Sequence, residues 1–313
     1  METPLLGGMA QTVADRREPL LRPGNSNCGG CGMSLGLQML SRAIAGRHVE
    51  LVIPACCGIV TAGPFPFSAY GAPVVAATFA SAAAVATGLA HAARLNGEDT
   101  RVVCWAGDGG TYDIGMATLS AAAERGEDIL YICYDNEIYG NTGGQRSSAT
   151  PLGAATSTTA AGKEVPKKDV IGIMAAHGIP YVATLSLAHP EDALRKLRLA
   201  VDRRGFRFLH LLSPCPVGWK SEPADGVELL RLAVASGLYP VLEVVDGERW
   251  AIDVEPTFRR DDMARYFALQ GRFRGAGPDL DRVEADVARR WRWLRLLASA
   301  AVEEERPELL GVP

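Results

Sequence analysis

Aromatic residues make up only 7% of this 313-residue chain, and neither sign of charge dominates: 32 Lys and Arg stand against 36 Asp and Glu, for a net charge of −4. Charge this balanced, spread without long runs, lacks the electrostatic footprint of a nucleic acid or anionic membrane binder. Long runs of large apolar side chains are missing too. The nearest approach to a membrane span, residues 72–93, is mostly alanine, is interrupted by Gly88 and His91, and reads as a buried helix of a soluble protein. Residues 1–23 carry Asp15, Arg16, Arg17 and Glu18 where an export signal needs an apolar stretch, so a reducing, cytoplasmic location is expected. His-Glu-x-x-His, Gly-x-Ser-x-Gly and a Gly-x-Gly-x-x-Gly behind a strand are all absent, which removes the key residues of metalloproteases, α/β-hydrolases and simple nicotinamide enzymes. The five histidines are scattered; His91, His177 and His210 fall in helix or strand patterns and read as satisfied core or surface residues rather than bases.

What is present is a long α/β pattern. Residues 34–45, 81–94, 114–125, 170–177 and 191–203 have helical character, while 50–54, 101–106, 129–134, 181–184 and 206–212 are short apolar runs of strand length. Runs such as RVVCWA and ILYICY suit parallel strands buried on both faces, so the fold class is α/β, a mostly parallel sheet flanked by helices. Residues 1–220 form the expected core. From 221 to 313 the composition shifts and 280–302 reads as a long helix, a C-terminal extension packing on the core or on a partner. In open parallel sheets ligands sit outside the carboxyl ends of the strands, which predicts that the loops at Asp108, Asn136 and Cys215 meet at one site. The Gly-, Ser- and Thr-rich stretch 141–168 is too long for a connector and reads as a binding loop.

Gly107, Asp108 and Gly109 follow one strand, and Asp135 and Asn136 follow the next, one helix later. Asp108 and Asn136 offer hard oxygens to a small cation such as Mg²⁺, whose shell is usually completed by phosphate and water. The glycines would let backbone approach a diphosphate. Seven cysteines in a chain long enough to fold without staples point to chemistry rather than cross-linking. Cys28 and Cys31 form Cys-x-x-Cys, and Cys57 and Cys215 lie in loops expected to border the same crevice; four such thiolates suit a [4Fe-4S] cluster or tetrahedral zinc. Cys104 and Cys133, inside strands, read as small hydrophobes. Lys167 and Lys168 read as a solvated pair, and Trp219 as a core residue or a cover for the Cys215 loop.

Gly107 to Asn136 resembles the thiamine diphosphate motif, a Gly-Asp-Gly followed by about two dozen residues and an Asn. With GDGGTYDIG, YDNEIYGNTGGQRSSATPLGA, LLSPCPVGW and the late QGRFR, the chain resembles the β subunit of the pyruvate type of 2-oxoacid:ferredoxin oxidoreductases from about Pro23 to Trp293. That resemblance implies coenzyme A-dependent oxidative decarboxylation of a 2-oxoacid, or its reversal, with thiamine diphosphate, Mg²⁺ and a [4Fe-4S] cluster as cofactors. It implies that Asp108 and Asn136 give side-chain oxygens to Mg²⁺, that Ile138 gives its carbonyl, and that Asn141 lies near the reacting carbon. An amide there can donate to a developing oxyanion; a plain turn-holding role is the alternative. It also implies cluster ligation by Cys28, Cys31, Cys57 and Cys215. Here the chain departs from the family's Gly-Cys, having Cys56-Cys57; the spacing to Tyr70-Gly71-Ala72-Pro73 favours Cys57. Pyruvate is the expected substrate, with oxalate or a branched-chain 2-oxoacid as alternatives. A nonoxidative thiamine enzyme with structural zinc is the rival from another class. The implied partners are α, γ and ferredoxin-like δ companion subunits and ferredoxin, with residues 81–94 and the C-terminal helix as contact surfaces.

Overall fold

The computed structural model describes residues 19–61, 68–274 and 277–304; residues 1–18, which bear on the export-signal expectation, lie outside it. In chain order the elements are α1 (Gly32–Ala43), β1 (His48–Pro54), α2 (Cys57–Val60), β2 (Val74–Ala77), α3 (Ala82–Leu95), β3 (Thr100–Gly107), a π-helical turn (Gly109–Asp113), α4 (Met116–Glu124), β4 (Leu130–Asp135), α5 (Val170–Ala175) and β5 (Tyr181–Leu185). Then follow α6 (Pro190–Asp202), β6 (Arg207–Leu212), α7 (Pro216–Trp219), α8 (Gly226–Ala235), β7 (Val241–Val245), β8 (Arg249–Val254), α9 (Arg260–Ala268) and α10 (Leu280–Glu304). The strands form one eight-stranded sheet in the order β2-β1-β3-β4-β6-β5-β7-β8. The first six are parallel, and the β7–β8 hairpin adds to β5 antiparallel. This is the α/β architecture the apolar runs predicted.

Side-chain alternation along β3 places helices on both faces. Cys104 Sγ reaches the Ala82 carbonyl at the start of α3, whereas Trp105, pointing the other way, lies against Gly36 of α1, where a β-carbon would come within 3.1 Å of the indole and 2.5 Å of Leu211. Gly36 thus lets α1 approach β3 and β6 closely. Helix α6 starts with Pro190 followed by Glu191 and Asp192, residue types suited to a first turn with its free amides and positive dipole end. Central strands β4 and β6 are buried along their whole length, so register there is fixed by packing on both faces.

Three features were not read from the sequence. Residues 74–77 form edge strand β2 rather than part of the alanine helix, and only Ala82–Leu95 is helical. The β7–β8 hairpin, whose turn places Asp246 and Gly247 at φ of 55° and 76°, arises from residues after 221 and joins the same sheet. Ile114 and Gly115 precede α4, because the chain leaves Asp108 through the π-helical turn. Among the described residues no helix is long and apolar enough to cross a membrane.

Candidate cofactor and metal site

Strand order reverses at β1, whose neighbours are β2 on one side and β3 on the other, and the loops leaving β1, β3 and β4 open a cleft at that point. The cleft, about 160 Å³, is lined by Cys56 and Cys57 after β1, Gly107 to Gly110 at the end of β3, and Asn136 and Ile138 to Thr142 after β4. Asp108 is buried, and Ser147, from the long loop 141–168, donates its hydroxyl to Asp108 Oδ2 at 2.5 Å. Burial first, then the charge of Asp135, pushes the Asp108 carboxyl well above the usual carboxylate range. It is an anion site short of positive charge.

One terminal amide atom of Asn136 lies 2.9 Å from Asp108 Oδ1 and 2.7 Å from the Ile138 carbonyl oxygen. With nitrogen in that position the amide donates to both oxygens. With oxygen there, three hard oxygens converge. Ligands at about 2.0–2.1 Å from an octahedral Mg²⁺ are separated along an edge by about 2.9 Å, so the spacing fits a shared cation. The chemistry of the donor set and its separations therefore both suit the metal implied by the sequence. Ile138 is buried beside them, while Asn141 is exposed at the rim of the cleft.

The two glycines beside Asp108 differ in the space around them. A β-carbon on Gly109 would lie 2.3 Å from Tyr139 Cε1 and 2.9 Å from Phe79 Cζ, so its missing side chain makes room for an aromatic pair. Tyr139 is fixed there by donating to Asp113 Oδ2 at 2.6 Å. Gly109 is thus needed for packing that shapes the cleft, whereas a β-carbon on Gly107 would make only ordinary contacts.

Segments bearing four cysteines meet next to this cleft. Gly32 N donates to the Pro214 carbonyl at 3.0 Å, joining the Cys28–Cys31 loop to the Cys215 loop, and Ser26 N donates to the Thr61 carbonyl at 3.2 Å, joining it to α2. Cys28 is exposed, and Cys31, Cys57 and Cys215 are half-buried. Burial and then the charges of Cys56, Cys215, Cys31 and Cys28 push the Cys57 thiol up to about 12. Burial, with contributions from Cys215 and Cys28, raises Cys31, and burial, with a contribution from Cys28, raises Cys215. The four thiols share one electrostatic neighbourhood, although no three His, Cys, Asp or Glu side chains among the described residues are close enough to hold a single ion. Cys56, which also lines the cleft, lies against Tyr134, Gly58 and Gly107. Cys104 and Cys133 are buried in β3 and β4, as expected.

Sequence reasoning missed the groups that hold the Asn136 loop. Lys167 is no solvated residue: it pairs with Asp135 at 2.5 Å and Glu137 at 3.1 Å. Lys168 donates to the Tyr112 carbonyl. Both side chains keep some exposure, but their ammonium groups face inward because buried carboxylates and a buried carbonyl need partners. Asp135 also accepts from Tyr112 at 3.1 Å and bonds His210 Nε2 at 2.8 Å. Burial alone would raise its carboxyl, but Lys167 and His210 outweigh it and hold Asp135 below the usual range. Arg272, from the QGRFR run, pairs with Glu137 at 2.6 Å and stacks 4.4 Å over the Trp219 ring.

Residues 59–211 match the family described as thiamine pyrophosphate enzyme, C-terminal TPP binding domain. Pyruvate synthase subunit PorB of Methanothermobacter thermautotrophicus is 44% identical over 263 residues, 82% of this chain and 90% of that protein. Ketoisovalerate oxidoreductase subunit VorB of Pyrococcus abyssi is 44% identical over 287 residues, 88% and 92% of the two chains. In fold the chain is similar to a solved 2-oxoglutarate:ferredoxin oxidoreductase from Magnetococcus marinus, with a TM-score of 0.58, 22% identity and coverage of 83% and 91%.

Proposed function

From the premise that the chain belongs to the thiamine diphosphate-dependent 2-oxoacid:ferredoxin oxidoreductases, as a β-type subunit, we propose that it carries the decarboxylating centre and the first electron acceptor of a pyruvate-oxidising complex. The observation that carries this reading is the convergence of the Asp108 carboxylate, the Asn136 amide and the Ile138 carbonyl in a cleft that also exposes Cys57. Bound there, thiamine diphosphate supplies the electron sink for loss of CO₂ from a 2-oxoacid, and an adjacent [4Fe-4S] cluster supplies one-electron steps towards ferredoxin.

The protein's own part is positioning. Asp108, Asn136 and the Ile138 carbonyl hold Mg²⁺ and through it a diphosphate, with Ser147 orienting the Asp108 carboxylate. Asn141, at the rim, donates a neutral hydrogen bond to a carbonyl under attack. Cys28, Cys31, Cys57 and Cys215 ligate the cluster. Four thiol-bearing segments brought beside the cleft, together with the family's electron-transferring chemistry, favour a cluster over structural zinc. Cys56, directed at Gly107 and Tyr134, stays outside the ligand set.

Exposed Val60, Ile114 and Val217 beside these loops, and Trp293 and Leu296 on α10, support contact with companion chains that complete the site, handle coenzyme A and carry electrons onward to ferredoxin. Pyruvate is the proposed substrate. Equal identity to a ketoisovalerate oxidoreductase subunit favours, as the second reading, a branched-chain 2-oxoacid. An anaerobic assay of the assembled complex, coupling a panel of 2-oxoacids and coenzyme A to viologen reduction, decides. Pyruvate should give the highest kcat/KM; a higher value for 2-oxoisovalerate establishes the second reading, and no turnover with any 2-oxoacid overturns both.

A further inference from the structure

The two residues flanking Asn136 are both acidic, and both are buried: Asp135 and Glu137 have 0% and 5% of their surface exposed. Two carboxylates beside a third, Asp108, at the end of neighbouring strands would repel one another in a medium that screens poorly. Lys167 stands between them. Its ammonium lies 2.5 Å from Asp135 Oδ2 and 3.1 Å from Glu137 Oε1. Glu137 itself sits at φ 64°, a left-handed conformation uncommon for a non-glycine residue, and its amide donates to Asp135 Oδ1 at 2.8 Å. That turn is what aims the Asn136 side chain and the Ile138 carbonyl at the same point.

We propose that Lys167 is a positioning residue for the metal site: by bridging Asp135 and Glu137 it locks the turn that presents Asn136 and Ile138 to Mg²⁺. The inference rests on the assignment of Asp108, Asn136 and Ile138 as the metal ligands. Lys167 closes the long loop that begins at Asn141 and also delivers Ser147 to Asp108, so one bridge ties the ordering of that loop to the readiness of the ligands. Other anchors hold the same turn at different atoms: Thr150 donates to the Glu137 carbonyl at 2.7 Å, and Arg272 takes Glu137 Oε2. Lys167 alone among these reaches both flanking carboxylates.

Charge and positioning make opposite predictions here. Lys167 has the sign of Mg²⁺, so on charge alone its removal tightens metal binding, whereas loss of the bridge weakens it. The test is titration of the complete complex with Mg²⁺ at saturating thiamine diphosphate, following intrinsic tryptophan fluorescence, beside thermal melting without metal. Lys167→Met should raise the Mg²⁺ dissociation constant at least tenfold, and Lys167→Arg, which can still bridge, should stay within about threefold of the native value. Lys167→Met/Glu137→Gln removes the unbalanced charge and keeps the chain foldable if the single variant is insoluble; it should still bind Mg²⁺ at least tenfold more weakly. Native or tighter binding in either Met variant overturns the proposal. Asp108→Ala is the control: if it too leaves Mg²⁺ binding unchanged, the assignment of the metal ligands fails, and with it the premise.

Discussion

The indole nitrogen of Trp219 donates to the backbone carbonyl of Asn136 at 2.8 Å. Trp219 ends the short helix that begins directly after Cys215, and Asn136 opens the loop of the candidate metal site, so one buried hydrogen bond joins the thiol-bearing loop to the cofactor loop. Arg272, stacked on the same indole and paired with Glu137, closes the connection from the far side.

Trp219→Phe keeps most of the packing under Arg272 but leaves the Asn136 carbonyl without its donor. A loss of about 1–3 kcal/mol in stability is expected, the range for removing a partner from a buried polar group. Mg²⁺-dependent thiamine diphosphate affinity should fall with it while iron content is unchanged. Denaturant unfolding and cofactor titration on the same preparation check both parts.

Replacing Cys28, Cys31, Cys57 or Cys215 by Ser should each remove most of the broad visible absorbance of anaerobically purified protein. Cys56→Ser should leave it largely intact, because that thiol is directed at Tyr134 and Gly107. Loss on Cys56→Ser with retention on Cys57→Ser reverses the assignment of the third ligand.

Asp108→Ala and Asn136→Ala should weaken Mg²⁺-dependent thiamine diphosphate binding by at least tenfold without removing iron, since the two ligand sets share no residue. Calorimetry giving native affinity in both variants contradicts the metal assignment.

Gly109→Ala places a methyl group 2.3 Å from the Tyr139 ring and 2.9 Å from Phe79. Tyr139 cannot retreat without breaking its bond to Asp113, so destabilisation of about 1–3 kcal/mol is expected, as for overpacked cores. A melting temperature equal to that of the native chain contradicts this account of the glycine.

Much of this arrangement is legible in the sequence, and the reason is local. Parallel strands buried on both faces write themselves as unbroken apolar runs, and β3, β4 and β6 were found that way; their ends then placed Asp108, Asn136 and Cys215 on one edge. Short edge strand β2 was hidden because Val74–Ala77 is only four residues long and stands four residues before an alanine-rich helix of similar composition. Lys167 was misread for a different reason. Its partners Asp135 and Glu137 are about thirty residues away, and no periodicity within the loop signals that an ammonium will turn inward to meet them. The role of Gly109 was equally invisible, since it depends on where Tyr139 and Phe79 come to rest.

The central claim is that this chain brings a thiamine-dependent decarboxylating centre and an iron-sulfur cluster to one strand edge. Its most direct test is the bleaching of visible cluster absorbance on adding pyruvate to the anaerobic complex, measured with and without Mg²⁺ and thiamine diphosphate, in the native protein and in Asp108→Ala. Bleaching is expected in the native complex only when both cofactors are present, and at most slowly in Asp108→Ala. Bleaching that needs neither cofactor, or that proceeds at the native rate in Asp108→Ala, contradicts the account.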